Sequence, residues 1–277
     1  MLESTLRLLR FRGLLVTLVQ RELKARYRGS VLGFFWSLVT PLILLAVYTF
    51  VFSFIFRPRV AGAEPYPLFL MCGLFPWVWI ATSLQEGTVS LTASAGLIRK
   101  AVFPTEVLPI VAVLANLVHF LLALPVLAAG MLVGRALDFP VCGWSALGLA
   151  PIIALEFLLL GGMVLGLAAL NVHFKDVKDI VANLLALLFY LTPVIYRLEG
   201  LHFPEAGWAQ HLGRVVSLFV RWCNPFTPFT EAIQETLFTG SWPALTLWLH
   251  MLAWAALCWL LGTWLFNRLR DSLAEAV

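Results

Sequence analysis

RELKARYRGSVLGFFWSLVTPLILLAVYTFVFSFIF, residues 21–56, decides the fold class of this chain. Arg21, Lys24, Arg26 and Arg28 crowd one short polar stretch, and no charge follows from Gly29 to Phe56. An uncharged apolar run of about 20 residues or more can cross roughly 30 Å of hydrocarbon as a helix. Cations gathered on one flank of such a run hold that flank in the cytoplasm. The stretch therefore predicts a helix that crosses a bilayer from a cytoplasmic N-terminal segment. It starts too far into the chain, and is too long, for a cleaved signal core, so it reads as a retained span.

The same pattern recurs along the chain. Pro65–Gln85, Val107–Gly134, Ile180–Tyr196 and Thr236–Asn267 carry no charge, and Phe139–Phe174 is interrupted only by Glu156. With Gly29–Phe56 these predict six membrane-spanning helices, the fifth short and ending near Pro193, in one all-α domain over residues 1–277. Composition agrees: 61% of residues are hydrophobic and 12% charged, against about 25% charged in soluble domains. Orientation follows from the basic residues. With the N-terminus inside, the connecting segments that carry Arg57, Arg59, Arg135, Arg197, Arg214 and Arg221 lie outside, and the other 13 of the 19 Lys and Arg lie inside. Both termini are thus expected in the cytoplasm. Basic residues that flank apolar runs argue for membrane orientation and against nucleic-acid binding.

Three segments outside the spans are organised as more than connectors. Residues 1–28 predict a cytoplasmic amphipathic helix, with Leu14, Leu15, Leu18 and Val19 on one face. That helix either lies on anionic headgroups or presents a binding surface. Residues 86–106 form a cytoplasmic loop in which Arg99 and Lys100 stand beside Val102, Phe103 and Pro104, and apolar groups exposed beside a membrane mark a protein interface. Residues 197–235, on the outer face, combine an amphipathic stretch (Gly213–Cys223) with the helix-breaking Asn224-Pro225-Phe226-Thr227-Pro228-Phe229. This predicts interfacial or re-entrant helices.

Ionisable residues inside spans are costly and default to functional candidates. Glu156 is the one carboxylate there, with His119 as a candidate partner in a proton relay. The pairs Gly29/Gly33, Gly130/Gly134 and Gly162/Gly166 have the spacing that lets helices approach closely. The four cysteines form no C-x-x-C pair, so no metal centre is expected. None of the four lysines sits in a G-x-x-x-x-G-K-[ST] context, so the chain holds no phosphate-cradling P-loop.

Five segments resemble a known family in the family's own order. They are Arg21–Trp36 (RELKARYRGSVLGFFW), Leu97–Pro109 (LIRKAVFPTEVLP), Phe174–Ile180 (FKDVKDI), Leu191–Tyr196 (LTPVIY) and Asn224–Pro228 (NPFTP). Together they resemble type-2 ABC exporter permeases, and more narrowly the branch that exports O-antigen and related lipid-linked glycans across the bacterial inner membrane. The resemblance implies a homodimer of permeases with a separate ABC ATPase subunit beneath each copy. That subunit would hold ATP and Mg²⁺, while this chain binds no cofactor. It also implies that Arg99, Lys100, Phe103, Pro104 and Glu106 belong to the ATPase-coupling element. Arg21, Lys24, Arg26, Tyr27 and Arg28 would belong to the cytoplasmic entrance, and the segments around Thr192–Tyr196 and Asn224–Thr230 to an external gate. Aromatic rings stack on the C–H faces of sugars, and Phe35, Trp36, Tyr48, Phe52, Tyr190 and Tyr196 are the candidates to line a glycan channel. Two other readings stay open from the residues alone. One is a proton-coupled secondary transporter using Glu156; the other is a type-2 ABC permease for small molecules.

Overall fold

The computed structural model describes residues 11–51, 63–98, 104–139, 141, 143–198 and 207–276. Among these no strand occurs. The helices are α1 (Arg12–Tyr27), α2 (Trp36–Phe50), α3 (Tyr66–Ala93), α4 (Val107–Ala136), α5 (Leu149–His173, led in by a 3-10 turn from Trp144), α6 (Val177–Leu191), α7 (Gly207–Trp222), α8 (Thr227–Gln234) and α9 (Leu245–Ala276). Four helical stretches are long and apolar enough to cross a bilayer: Tyr66–Ala93, Val107–Ala136, Trp144–His173 and Leu245–Arg270. The protein is therefore a multi-pass membrane protein.

Helix α3 is the central element, buried along most of its length and packed on α4, α5, α6 and α8. Glycines allow the closest contacts. A Cβ on Gly87 of α3 would strike the Val164 side chain of α5. Where α5 crosses α9, Gly162 and Gly262 put backbone against backbone, and a Cβ on Gly262 would meet the Gly162 carbonyl oxygen. Close approach of this kind is what small residues provide inside a membrane, where apolar burial gives no preference for protein over lipid. Gly130 and Gly134 meet Leu68 and Met71 in the same way. Trp79 and Phe120 stack across the α3–α4 contact, with ring centroids 5.3 Å apart and planes at 10°.

Several expected boundaries move, for identifiable reasons. Gly29 and Gly33 pack no helix. They sit at φ +79° and +47° in the connection between α1 and α2, a left-handed conformation that only glycine adopts at little cost. The first apolar run accordingly begins its helix at Trp36; residues 52–62 lie outside the described residues. Helix α3 runs on past Gln85 to Ala93, so Glu86 is helical and the following connection is shorter than residues 86–106. Helix α6, by contrast, ends at Leu191, close to the expected stop at Pro193, which has no N–H to continue the ladder. At 15 residues and about 1.5 Å per residue it is roughly 22 Å long, short of a full crossing. Glu235–Thr239 is a π-helical turn that ends at Gly240 (φ +67°), and α9 starts only at Leu245.

Candidate functional site

The bundle has two ends with distinct chemistry. At the first, α1 lies along α4, and Leu14, Leu15, Leu18 and Val19 pack on a cluster built from Leu91, Val107, Ile110, Ala169, Val172 and Phe266. These four residues therefore cover protein. A polar network ties the last turn of α1 to the spans. Arg26 pairs with Glu86 of α3, and its Nη1 donates to Asn116 Oδ1 of α4 at 3.1 Å. Asn116 Nδ2 donates to the same Glu86 carboxylate at 2.6 Å. The arrangement is a closed triangle joining three helices, with the guanidinium donating to both partners. One residue on, the Tyr27 hydroxyl lies 3.0 Å from His119 Nδ1 of α4, with the two rings edge to face.

The structure thus divides the five residues expected at the entrance. Arg26 and Tyr27 turn inward, while Arg21, Lys24 and Arg28 are exposed. Lys24 and Arg28, with Leu23 and Tyr27, line an open hollow of about 440 Å³. Nearby, Leu97 and Ile98 pack on the same apolar cluster. Arg99, Lys100 and Phe103 lie outside the described residues. Pro104 opens the turn that starts α4, its carbonyl accepting from Val107 N–H at 3.1 Å. Glu106 is 3% exposed, inside the protein and off the surface; its Oε2 has no hydrogen-bond partner among the described residues. The Phe174–Ile180 turn is fixed by Asn171, whose Oδ1 accepts from Lys178 N–H at 3.2 Å.

At the opposite end, the two segments singled out around Thr192–Tyr196 and Asn224–Thr230 come together. Asn224 Nδ2 donates to Thr192 Oγ1 at 2.9 Å, and Asn224 Oδ1 accepts from Phe226 N–H at 3.0 Å. Gln234 Nε2 donates to the Pro193 carbonyl at 2.9 Å, and the Tyr66 hydroxyl donates to the Ile195 carbonyl at 3.1 Å. Gly73 of α3 allows this, because a Cβ there would press on Val194. The Pro193 and Ile195 carbonyls and the Phe226 N–H, in the turns after α6 and before α8, are therefore satisfied from inside the protein, as irregular chain at membrane depth requires. Phe226 and Phe229 are fully buried beneath it.

The aromatic candidates separate as well. Tyr48 of α2 packs on Phe189 of α6 (centroids 5.4 Å), which meets Trp77 (5.7 Å), which in turn meets Phe226 edge to face (5.9 Å). A ring-to-ring chain thus runs from α2 through α6 and α3 to the Asn224–Phe226 turn. Phe35, Trp36 and Tyr190 are exposed, whereas Tyr196 is part-buried and its hydroxyl donates to the Leu191 carbonyl. Phe52 lies outside the described residues. Glu156 is fully buried, and neither carboxyl oxygen has a hydrogen-bond partner among the described residues. His119 bonds Tyr27, so the expected Glu156–His119 pairing is corrected. Sequence reading missed Glu86 and Asn116. An Asn in the middle of an apolar run was the available signal for the second. Glu86 was hidden because the span was ended at Gln85, whereas its helix runs on to Ala93.

The ABC-2 type transporter family matches residues 13–238. O-antigen export system permease protein RfbA of Myxococcus xanthus is 34% identical over 279 residues, covering 100% of both chains. A Klebsiella pneumoniae protein of the same name is 32% identical over 232 residues, 82% of this chain and 86% of its own. Polysialic acid transport protein KpsM of Escherichia coli is 20% identical over 226 residues, 79% of each chain. The family covers most of the chain, a relative above 30% identity aligns from end to end, and four helices are long and apolar enough to cross a bilayer: this protein belongs to the ABC-2 type transporter family and serves membrane transport rather than catalysis.

Proposed function

We propose that the chain is the membrane-spanning subunit of an ATP-driven exporter that moves a lipid-linked polysaccharide of O-antigen type out of a bacterial cytoplasm. The observation that carries this reading is the full-length similarity to an O-antigen export permease. Two copies form the translocation path, and a separate ABC ATPase subunit docks beneath each. The membrane domain has six spans, counting the short helices α2 and α6 with the four long ones, and both termini are cytoplasmic. The end that carries α1 then faces the cytoplasm, and the α6–α8 junction faces outward.

In this mechanism ATP-driven closure of the partner subunits pushes the loop that holds Arg99, Lys100, Phe103 and Pro104. Buried Glu106 acts by fixing the start of α4 beneath that loop. Because Arg26, Glu86 and Asn116 join α1 to α3 and α4, the interface helix moves with the spans. Lys24 and Arg28, exposed at the entrance, meet the phosphates of the lipid carrier as point charges and donors. The glycan slides past exposed rings such as Trp36 and Tyr190, where many weak stacking contacts suit a moving polymer better than one tight site. The Asn224–Thr192 and Gln234–Pro193 bonds hold the outer gate. Glu156 needs no relay role here, because ATP supplies the driving force.

The test is affinity purification of the tagged chain from gently solubilised membranes. A stoichiometric subunit bearing Walker motifs, lost when residues 97–106 are replaced, is the expected result. A chain that purifies without an ATPase, where a known ABC complex survives the same conditions, would overturn the reading.

A further inference from the structure

Between the ends of α7 and α8, the π-helical turn and the start of α9 lies a cavity of about 470 Å³ that no step above uses. Its size falls within the range of about 300–1,000 Å³ usual for small-ligand sites. Its lining is unlike the rest of the bundle. Arg197 and Arg221 face it with Glu231 and Glu235, and Trp222 and His250 contribute rings. Those rings lie 5.3 Å apart with planes at 40°. His250 is set by its neighbour: Nε2 accepts from Trp254 Nε1 at 3.1 Å, so in its neutral form the proton sits on Nδ1. Trp222 is 60% exposed.

The balance of charge selects the ligand class. Two guanidinium groups with two carboxylates give the cavity no net charge from these groups, so it does not favour a bare phosphate. They offer donors and acceptors side by side, which suits a neutral ligand rich in hydroxyls, each of which donates and accepts. An aromatic wall adds a stacking surface for the C–H face of a sugar ring. We infer that this cavity is a saccharide subsite that holds one or two sugar units of the glycan at the outer mouth of the path. The inference rests on the exporter reading for both the cargo and the outward direction. A subsite there would keep the emerging chain from sliding back between strokes.

The experiment measures binding of short oligosaccharides, released by mild acid from the host's own surface polysaccharide, to the purified chain in nanodiscs. Saturation-transfer NMR and calorimetry give the readout, and inorganic pyrophosphate serves as competitor. Saturable binding is expected, weakened about tenfold or more by Trp222→Ala and by Glu231→Gln, and largely restored in Trp222→Phe. Pyrophosphate should not displace the saccharide. Absence of saturable binding, equal binding by wild type and both weakening variants, or binding of pyrophosphate in place of saccharide would each overturn the subsite. A parallel assay follows surface glycan in cells lacking the gene. If glycan stays trapped inside those cells while the pure chain binds no saccharide, the subsite fails and the exporter stands. If glycan still reaches the surface, the exporter reading fails and the subsite with it.

Discussion

The Arg26–Glu86–Asn116 triangle offers the sharpest test of how α1 is held to the spans. The perturbation is a double-mutant cycle built from Arg26→Ala, Glu86→Ala and the pair. Hydrogen bonds to charged groups contribute about 1.5–3 kcal/mol when shielded from water, whereas exposed ion pairs contribute about 0.2–1 kcal/mol. The two side chains are 26% and 40% exposed, so the charge interaction must be discounted toward the exposed limit. Asn116 bonds both partners and adds geometric constraint. A coupling energy of about 0.5–1 kcal/mol follows. The single substitutions should each cost more than the coupling, because each also removes a bond to Asn116 and leaves the other group part-buried with Asn116 as its remaining partner in the triangle. Equilibrium unfolding in mixed micelles gives the four free energies. Strict additivity, with a coupling below about 0.3 kcal/mol, would mean that the triangle does not fasten the helix.

Other outcomes follow from packing, polar satisfaction and mechanism. Gly262→Ala drives a methyl into the Gly162 carbonyl and should cost about 1–3 kcal/mol or more, read as a lower unfolding temperature in detergent; an unchanged temperature would show that α5 and α9 do not cross as described. Asn224→Ala leaves Thr192 Oγ1 and the Phe226 N–H without their partner and should destabilise the protein by about 1–3 kcal/mol, whereas an exposed Asn would tolerate the change. Phe103→Ala should leave ATP hydrolysis running in the purified complex while glycan export falls; wild-type export would sink the coupling role of that loop. Glu156→Gln keeps shape and removes a titratable group, so export at wild-type rate is expected over the working pH range, and a collapse of transport would restore the proton-relay reading.

Class, family and most helices were legible because the bilayer imposes a length and a polarity that few other folds share. The amphipathic face of α1 was legible from spacing alone, yet its partner was not. Spacing places Leu14, Leu15, Leu18 and Val19 on one side without saying whether lipid or the α3–α5 ends cover it. Periodicity also failed where backbone conformation decides: Gly29 and Gly33 have the spacing of a packing pair but serve positive-φ turns. Polar network members were the hardest to find. Glu86 gains meaning only when Arg26 and Asn116 are folded beside it, and His119 exchanged its expected partner for Tyr27 through a contact 92 residues distant in sequence. By contrast, the break at NPFTP was legible because prolines and Asn advertise a broken helix, LTPVIY stood out through its family resemblance, and a broken helix in a membrane must find its hydrogen bonds in protein.

ATP-dependent transport tests the central claim most directly. Inverted vesicles carrying this chain and its co-purifying ATPase, loaded on the outside with labelled lipid-linked glycan, should draw label into a protected interior when ATP and Mg²⁺ are added. The uptake should vanish without the ATPase subunit and persist when the proton gradient is collapsed. Uptake that follows the proton gradient and ignores ATP would contradict the account.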